Sequence, residues 1–155
     1  MDCRKIAYDL RSEQAALDEI VSELTDEQWQ LPTPSPGWTV LDQIAHLAYF
    51  DCSAALAIST PADFAHEVEM LSAAILDGGT AVDEFTLAPL RALPSAELLE
   101  RWRKGRRLLA TAAATLTDTN RVVPRSAIFL RCSGHGCLRS NPSITHSACW
   151  PADGA

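Results

Sequence analysis

The chain has 155 residues, of which 47% are hydrophobic and 21% are charged, and its formal net charge is −7. This length suits one domain with a real core, and this composition excludes a disordered polyelectrolyte. The negative charge argues against a nucleic acid or an anionic membrane as partner, because binding phosphate requires a basic surface. Since no apolar run has the ~18 residues of a membrane span and the first residues lack a signal peptide's apolar block, we expect a cytoplasmic location.

The first segment has the apolar spacing of an amphipathic helix over residues 4–24. Thr25 and Gln28 then fit a capping box on a short helical turn. The run LPTPSPGW follows, and its three prolines and one glycine predict an ordered loop. Because Trp29 and Trp38 lie at its two ends, we expect this loop to pack onto the body of the protein. The apolar positions of the first helix are Ile6, Leu10, Leu17, Ile20, Val21 and Leu24.

The second long helix is predicted over residues 40–58, with Thr39 as its N-cap and Asp42 in position to complete a capping box. A third helix begins with Pro61, at the position where helices tolerate proline, and ends at Asp77-Gly78-Gly79. These helices have broad apolar faces, which predicts that they pack against others.

A further amphipathic stretch covers residues 81–92, and a last long helix covers about 96–117, with Ser95 as its cap. No sustained alternation of β-branched residues occurs before residue 120. Long amphipathic helices joined by short loops predict an all-α domain of four-helix-bundle type over residues 1–122. The last helix also has a basic patch, which we interpret as a solvated face rather than a nucleic-acid site: Arg101, Arg103, Lys104, Arg106 and Arg107.

Residues 123–155 have a different composition, rich in Ser, Cys, Arg, Gly and Pro, and predict an irregular C-terminal tail. The five cysteines are an odd number in a chain without an export signal, which predicts reduced thiols. Three interpretations of the tail stay open: a flexible extension, a metal knuckle, or a sequence translated outside the ancestral reading frame. The knuckle's candidate ligands do not have paired C-x₂-C spacing: Cys132, His135, Cys137, His146 and Cys149.

The sequence has no P-loop, dinucleotide fingerprint, nucleophile elbow or H-E-x-x-H motif, so His46 is the residue best suited to chemistry. His46 lies midway along the second helix beside its apolar face, where a histidine is either a functional group or a hydrogen-bonded boundary residue. Asp42, one turn earlier, either orients the imidazole or serves the capping box, and the box is the more ordinary role. Asp51 faces either the same cavity or solvent.

The segment PTPSPGWTVLDQIAHLAYFD resembles the signature region of the DinB/YfiT-like metalloenzyme superfamily. More closely, it is similar to the metal-binding domain of the mycothiol-dependent maleylpyruvate isomerase family of actinobacteria. The matching features are Gly37-Trp38-Thr39-Val40 after Thr-Pro, and the D-x-x-x-H-L spacing of Asp42, His46 and Leu47. The likeness continues through LPSAELLERWRKGRRLL and covers about residues 4–122.

The resemblance implies an up-down-down-up four-helix bundle that binds a divalent metal, usually zinc, with His46 as one ligand. It places two more ligands, one turn apart, on a last helix that should follow Arg121. This chain departs from that pattern, because His135 and His146 are eleven residues apart among Gly, Ser and Pro. We therefore expect the last helix to be missing or replaced by the irregular tail, with one face of the bundle left uncovered.

Three functions follow as hypotheses. The first is a metal- and thiol-dependent isomerase or transferase that uses mycothiol and an electrophilic small-molecule substrate. The second is a metal-binding or regulatory domain without catalysis. The third is a helical remnant without metal, or an interaction module that buries its open face against a partner, a homodimer included.

Overall fold

The computed structural model describes residues 3–78 and 80–116. This part of the chain is helical and has no β-strand, with one isolated bridge between Pro32 and Thr39. The predicted all-α class is confirmed, whereas the boundary at residue 122 and the irregular tail lie outside the described residues and stay predictions. In chain order the helices are α1 (Cys3–Ser22), α2 (Asp26–Trp29), α3 (Val40–Ser59), α4 (Pro61–Asp77), α5 (Ala81–Thr86), α6 (Ala88–Arg91) and α7 (Ser95–Ala113).

Two capping boxes form as the sequence predicts. At α2 the backbone N–H of Gln28 donates to Thr25 Oγ1, and Gln28 Oε1 accepts from the Thr25 N–H at 2.8 Å. At α3 Thr39 and Asp42 make the same reciprocal pair of bonds, with 2.8 Å between the Thr39 nitrogen and Asp42 Oδ2. Each box satisfies N–H groups that the first turn of a helix leaves without a partner. The boxes therefore fix where α2 and α3 begin.

The loop between α2 and α3 is held by hydrogen bonds at both of its ends. The Thr33 N–H donates to the Trp38 carbonyl at 2.8 Å, and the Val40 N–H donates to the Leu31 carbonyl at 3.0 Å. Gly37 has a φ of +78°, a conformation that a residue with a Cβ rarely adopts, and it turns the chain before Trp38. This loop packs onto the body as expected, with Trp29 buried and Trp38 half-buried.

The core lies where α3 packs along α7. The largest fully buried side chains there come from both helices and from the segment between α5 and α7. Close approach of α3 and α7 depends on Gly105, since a Cβ at this position would lie 3.2 Å from Cys52 Sγ. The Cys52 side chain is buried between the two helices. The fully buried large side chains are Trp102, Tyr49, Ile44, Leu56, Leu87, Leu90 and Leu98.

One sequence prediction about the last helices is wrong in detail, and another becomes more precise. The amphipathic stretch over 81–92 consists of two short helices, because Pro89 has no N–H to continue the hydrogen-bond ladder onto Phe85. Ser95 does not cap α7: Pro94 occupies the N-cap position, and the Ser95 hydroxyl donates to Asp26 Oδ1 at 2.5 Å. That bond ties the start of α7 to α2 instead.

Ion pairs add to the apolar contacts that attach helix α1 to the bundle. Arg103 and Arg106 both bind the Asp18 carboxylate, and Arg106 Nη1 also donates to the Gln14 carbonyl at 2.8 Å. The prediction that the basic patch is a solvated face is therefore wrong for these two arginines, which are half-buried, whereas Lys104 is exposed as predicted.

The apolar stripe of α1 is only partly covered. Val21 is buried, but Ile6 is 43% and Ile20 is 63% exposed. No helix in the described ranges is both long and apolar enough to cross a membrane.

Candidate functional site

His46 lies between two aromatic rings near the start of α3. Its ring centroid is 5.3 Å from that of Trp38, which comes from the preceding loop, and 4.4 Å from that of Phe50, one turn further along α3. The side chain is half-buried, so one part of the imidazole stays accessible to a ligand. The contact of His46 with Phe50 follows from their spacing of four residues on one helix. Trp38 and His46 both belong to the segment that resembles the family's signature region.

The environment favours the neutral form of this imidazole. Burial lowers the pKa of His46 below its ordinary value of 6.5, and the negative charge of Asp83 on α5 opposes this shift only in part. At neutral pH the ring therefore has a free nitrogen lone pair, which can accept a hydrogen bond or bind a metal. Sequence reasoning did not find Asp83, because it lies 37 residues from His46 and belongs to no motif.

Asp42 has the capping role rather than the orienting one. Its Oδ2 accepts from Thr39, and its Oδ1 accepts from Arg91 Nε of α6 at 2.5 Å. Burial raises the pKa of Asp42, but the hydrogen bonds from Thr39 and Arg91 outweigh it and hold the pKa below 3.8. Arg91 also lies 4.0 Å from Asp83. Asp42 and Arg91 thus fix α6 against the first turn of α3, next to the wall of the His46 site.

Asp51 lies neither beside His46 nor in open solvent. Its Oδ2 accepts from Gln14 Nε2 of α1 at 2.9 Å and from Trp102 Nε1 of α7 at 3.1 Å. Burial raises its pKa to about 6, although the Trp102 hydrogen bond and the charge of Arg106 act in the opposite direction. Asp51 therefore joins three helices and does not supply a second group to His46.

The described residues do not by themselves fit a metal site. Among residues 3–78 and 80–116, no group of three or more His, Cys, Asp or Glu side chains is placed to hold an ion. The rings of Trp38 and Phe50 contact His46 but supply no metal ligand. The Asp42 carboxylate is already hydrogen-bonded to Thr39 and Arg91. A catalytic zinc needs about three protein ligands, of which these residues supply one. The candidates of the tail lie outside the described residues: Cys132, His135, Cys137, His146 and Cys149.

The described residues form an all-helical bundle. It holds a half-buried histidine between two aromatic residues, next to the capped start of α3. The model of the mycothiol maleylpyruvate isomerase N-terminal domain family matches residues 10–130. The chain belongs to this family.

Two curated relatives are uncharacterised proteins of Mycobacterium tuberculosis, one from strain CDC 1551 / Oshkosh and one from strain ATCC 25618 / H37Rv. Each is 41% identical to this chain over 95 residues, which is 61% of this chain and 35% of the relative. The chain thus spans about a third of the length of these relatives. No solved structure matches it significantly.

Proposed function

We propose that this chain is a metal-binding helical domain of the mycothiol-dependent isomerase or transferase type, with His46 as its first metal ligand. The proposal rests on the His46 site, in a chain that belongs to this family. The imidazole of His46 is half-buried between Trp38 and Phe50, and burial favours its neutral form. A neutral imidazole on a rigid helix is the form and the placement that a divalent metal requires.

The partners that follow from this proposal are small molecules. Zinc is the expected metal, mycothiol the expected thiol, and an electrophilic compound the expected substrate. The aromatic rings beside His46 give the site an apolar wall, which favours a substrate with an apolar or unsaturated body. The remaining metal ligands would come from outside the described residues, and the cysteines and histidines of the tail are candidates.

Zinc titration of the metal-free full-length chain tests the role of His46. We expect about one zinc per chain, and we expect His46→Ala to weaken binding by more than about 100-fold, since loss of a ligand exceeds the usual effect of losing a supporting group. His66→Ala is the matched control, because His66 is a histidine of α4 whose side chain is 73% exposed. Unchanged zinc affinity in His46→Ala would refute the assignment.

The second candidate is a non-catalytic helical module without metal. The exposed apolar residues of α1, Ile6 and Ile20 among them, favour it, because such a surface marks an interaction site. Turnover of an electrophile that depends on mycothiol separates the two candidates: the enzyme requires it, and the module lacks it. Light scattering that shows a metal-free, concentration-dependent dimer would support the module.

A further inference from the structure

An apolar groove lies between the N-terminal half of α1 and the C-terminal half of α7. It contains a cavity of about 150 Å³ that is partly open to solvent, and it is called the α1–α7 groove below. Gln14 and Arg106 close the end nearest to Asp51, and both are already hydrogen-bonded within the fold. The groove is remote from the His46 site, which lies near the other end of α3. Its apolar walls are Ile6, Leu10, Leu109, Ala110, Ala113 and Leu116.

We propose that residues 127–130 of this same chain, Ala-Ile-Phe-Leu, dock on the α1–α7 groove with the ring of Phe129 in its cavity. The run is the longest apolar stretch after Leu116 that contains no proline. An apolar cavity of about 150 Å³ is large enough for one benzene-sized ring. The match to the family's domain model extends to residue 130, so the run belongs to the matched region.

The segment after Leu116 begins at the groove and is long enough to bring Phe129 back to it. Leu116, the last described residue, is itself part of the groove wall. Thirteen residues further on, Phe129 is within a reach of roughly 43 Å of extended chain. The part of the groove formed by the end of α7 and the residues just after it, from Leu109 to Leu116, is only about 10 Å long. A short reversal of the chain therefore brings Phe129 back over the groove.

Benzene is a direct probe of whether the cavity is filled. In NMR spectra of the full-length wild-type chain, we expect benzene to leave the methyl signals of Leu109, Ala110 and Ala113 unchanged. In Phe129→Ala, the same signals should shift saturably as benzene enters the vacated cavity. Trp150→Ala is the matched control, since it removes an aromatic ring from the tail outside the proposed run. It should behave like the wild type.

The wild-type measurement decides the proposal even if Phe129→Ala fails to fold. Saturable shifts of the three methyl signals in the wild type would mean that the cavity is empty and would overturn the proposal. Hydrogen exchange gives a second readout: Phe129→Ala should lower the protection of the α1 amides by about tenfold or more, and Trp150→Ala should not. If light scattering shows a dimer that Leu10→Asp dissociates while Phe129→Ala leaves it intact, the occupant is a second copy and the proposal is wrong.

Discussion

At the scale of single residues, Asp51 is an ionisable group in surroundings that disfavour its charged form. Its carboxylate is half-buried where α1, α3 and α7 meet, and Oδ2 accepts hydrogen bonds from Gln14 and Trp102. Burial raises its pKa from 3.8 to about 6, because the low-dielectric surroundings disfavour the ionised form more than the donors favour it. At neutral pH the folded chain therefore keeps an ionised group at a cost in stability.

Asp51→Asn should stabilise the protein at pH 7. Between about pH 4 and pH 6, the folded state retains a proton that the unfolded state has lost, so the wild-type free energy of unfolding falls as pH rises. Asparagine keeps an oxygen for Gln14 and Trp102 without the charge. We expect a gain of about 1–2 kcal/mol at pH 7, reduced from the full shift because the group is half-buried, and almost none at pH 4.

Urea unfolding at the two pH values measures this difference. Asp9→Asn, which neutralises an exposed carboxylate of α1, is the control and should change stability little at either pH. A loss of stability in Asp51→Asn at pH 7 would contradict the argument, since it would mean that the hydrogen bonds to the carboxylate outweigh its burial.

Asp42 and Asp51 also show which residue roles can be predicted from sequence. The Asp42 capping box spans three residues of one turn, so the local pattern predicts it, and the family resemblance singles out His46 in the same segment. The partners of Asp51 lie 37 and 51 residues away along the chain. Only the packing of α1 and α7 brings them together, and no spacing in the sequence encodes that contact.

At the scale of helices, α3 and α7 form the central pair of the described bundle. Their close approach depends on the missing side chain of Gly105, which is buried against α3. An added Cβ would lie 3.2 Å from Cys52 Sγ and 3.5 Å from the Ala48 carbonyl oxygen. Glycine costs a helix about 1 kcal/mol relative to alanine, so its place in the middle of α7 is explained by packing rather than by helix propensity.

Gly105→Val should therefore destabilise the protein by roughly 2 kcal/mol or more, because its extra methyl groups have no space between α3 and α7. Thermal or urea unfolding measures the loss. Lys104→Val, at the exposed neighbouring position, is the matched control for the low helix propensity of valine and should cost well under 1 kcal/mol. Equal losses in the two variants would show that propensity, not packing, is responsible.

Helix boundaries were predicted less well than helix faces, and the reason is physical. Both α3 and α7 are buried along one face, so their apolar residues recur at helical spacing and the sequence shows it. The break at Leu87 depends on one missing N–H at Pro89, and the start of α7 depends on a bond from Ser95 to Asp26, 69 residues away.

At the scale of the whole molecule, α1 is the least firmly packed of the long helices next to α7. Much of its apolar stripe is exposed, and Arg103 and Arg106 of α7 bind it through Asp18. Hydrogen bonds from Arg103, with the help of Arg106, lower the pKa of Asp18 although burial opposes this shift. The attachment is thus complete above the ordinary pKa of 3.8 and weakens as pH falls through the lower, folded-state pKa.

Asp18→Ala should detach α1 locally while the core formed by α3 and α7 stays folded. Removing a half-buried carboxylate leaves Arg103 and Arg106 without their shared partner, for which we expect a cost of about 1–3 kcal/mol. Native-state hydrogen exchange measures it as a fall of roughly tenfold to a hundredfold in the protection of the α1 amides. The amides of α3 and α7 should change much less, because their burial against each other does not depend on Asp18.

Glu100→Ala is the control that separates attachment of α1 from loss of an ion pair as such. Glu100 also binds Arg103, at 2.6 Å, but it lies on α7 itself and its side chain is 62% exposed. Its removal should leave the protection of α1 unchanged, since an exposed pair within one helix contributes at most a few tenths of a kcal/mol. If Asp18→Ala instead lowered protection equally in α1, α3 and α7, the three helices would open as one cooperative unit, and α1 would be part of the core rather than a helix held to it by charge.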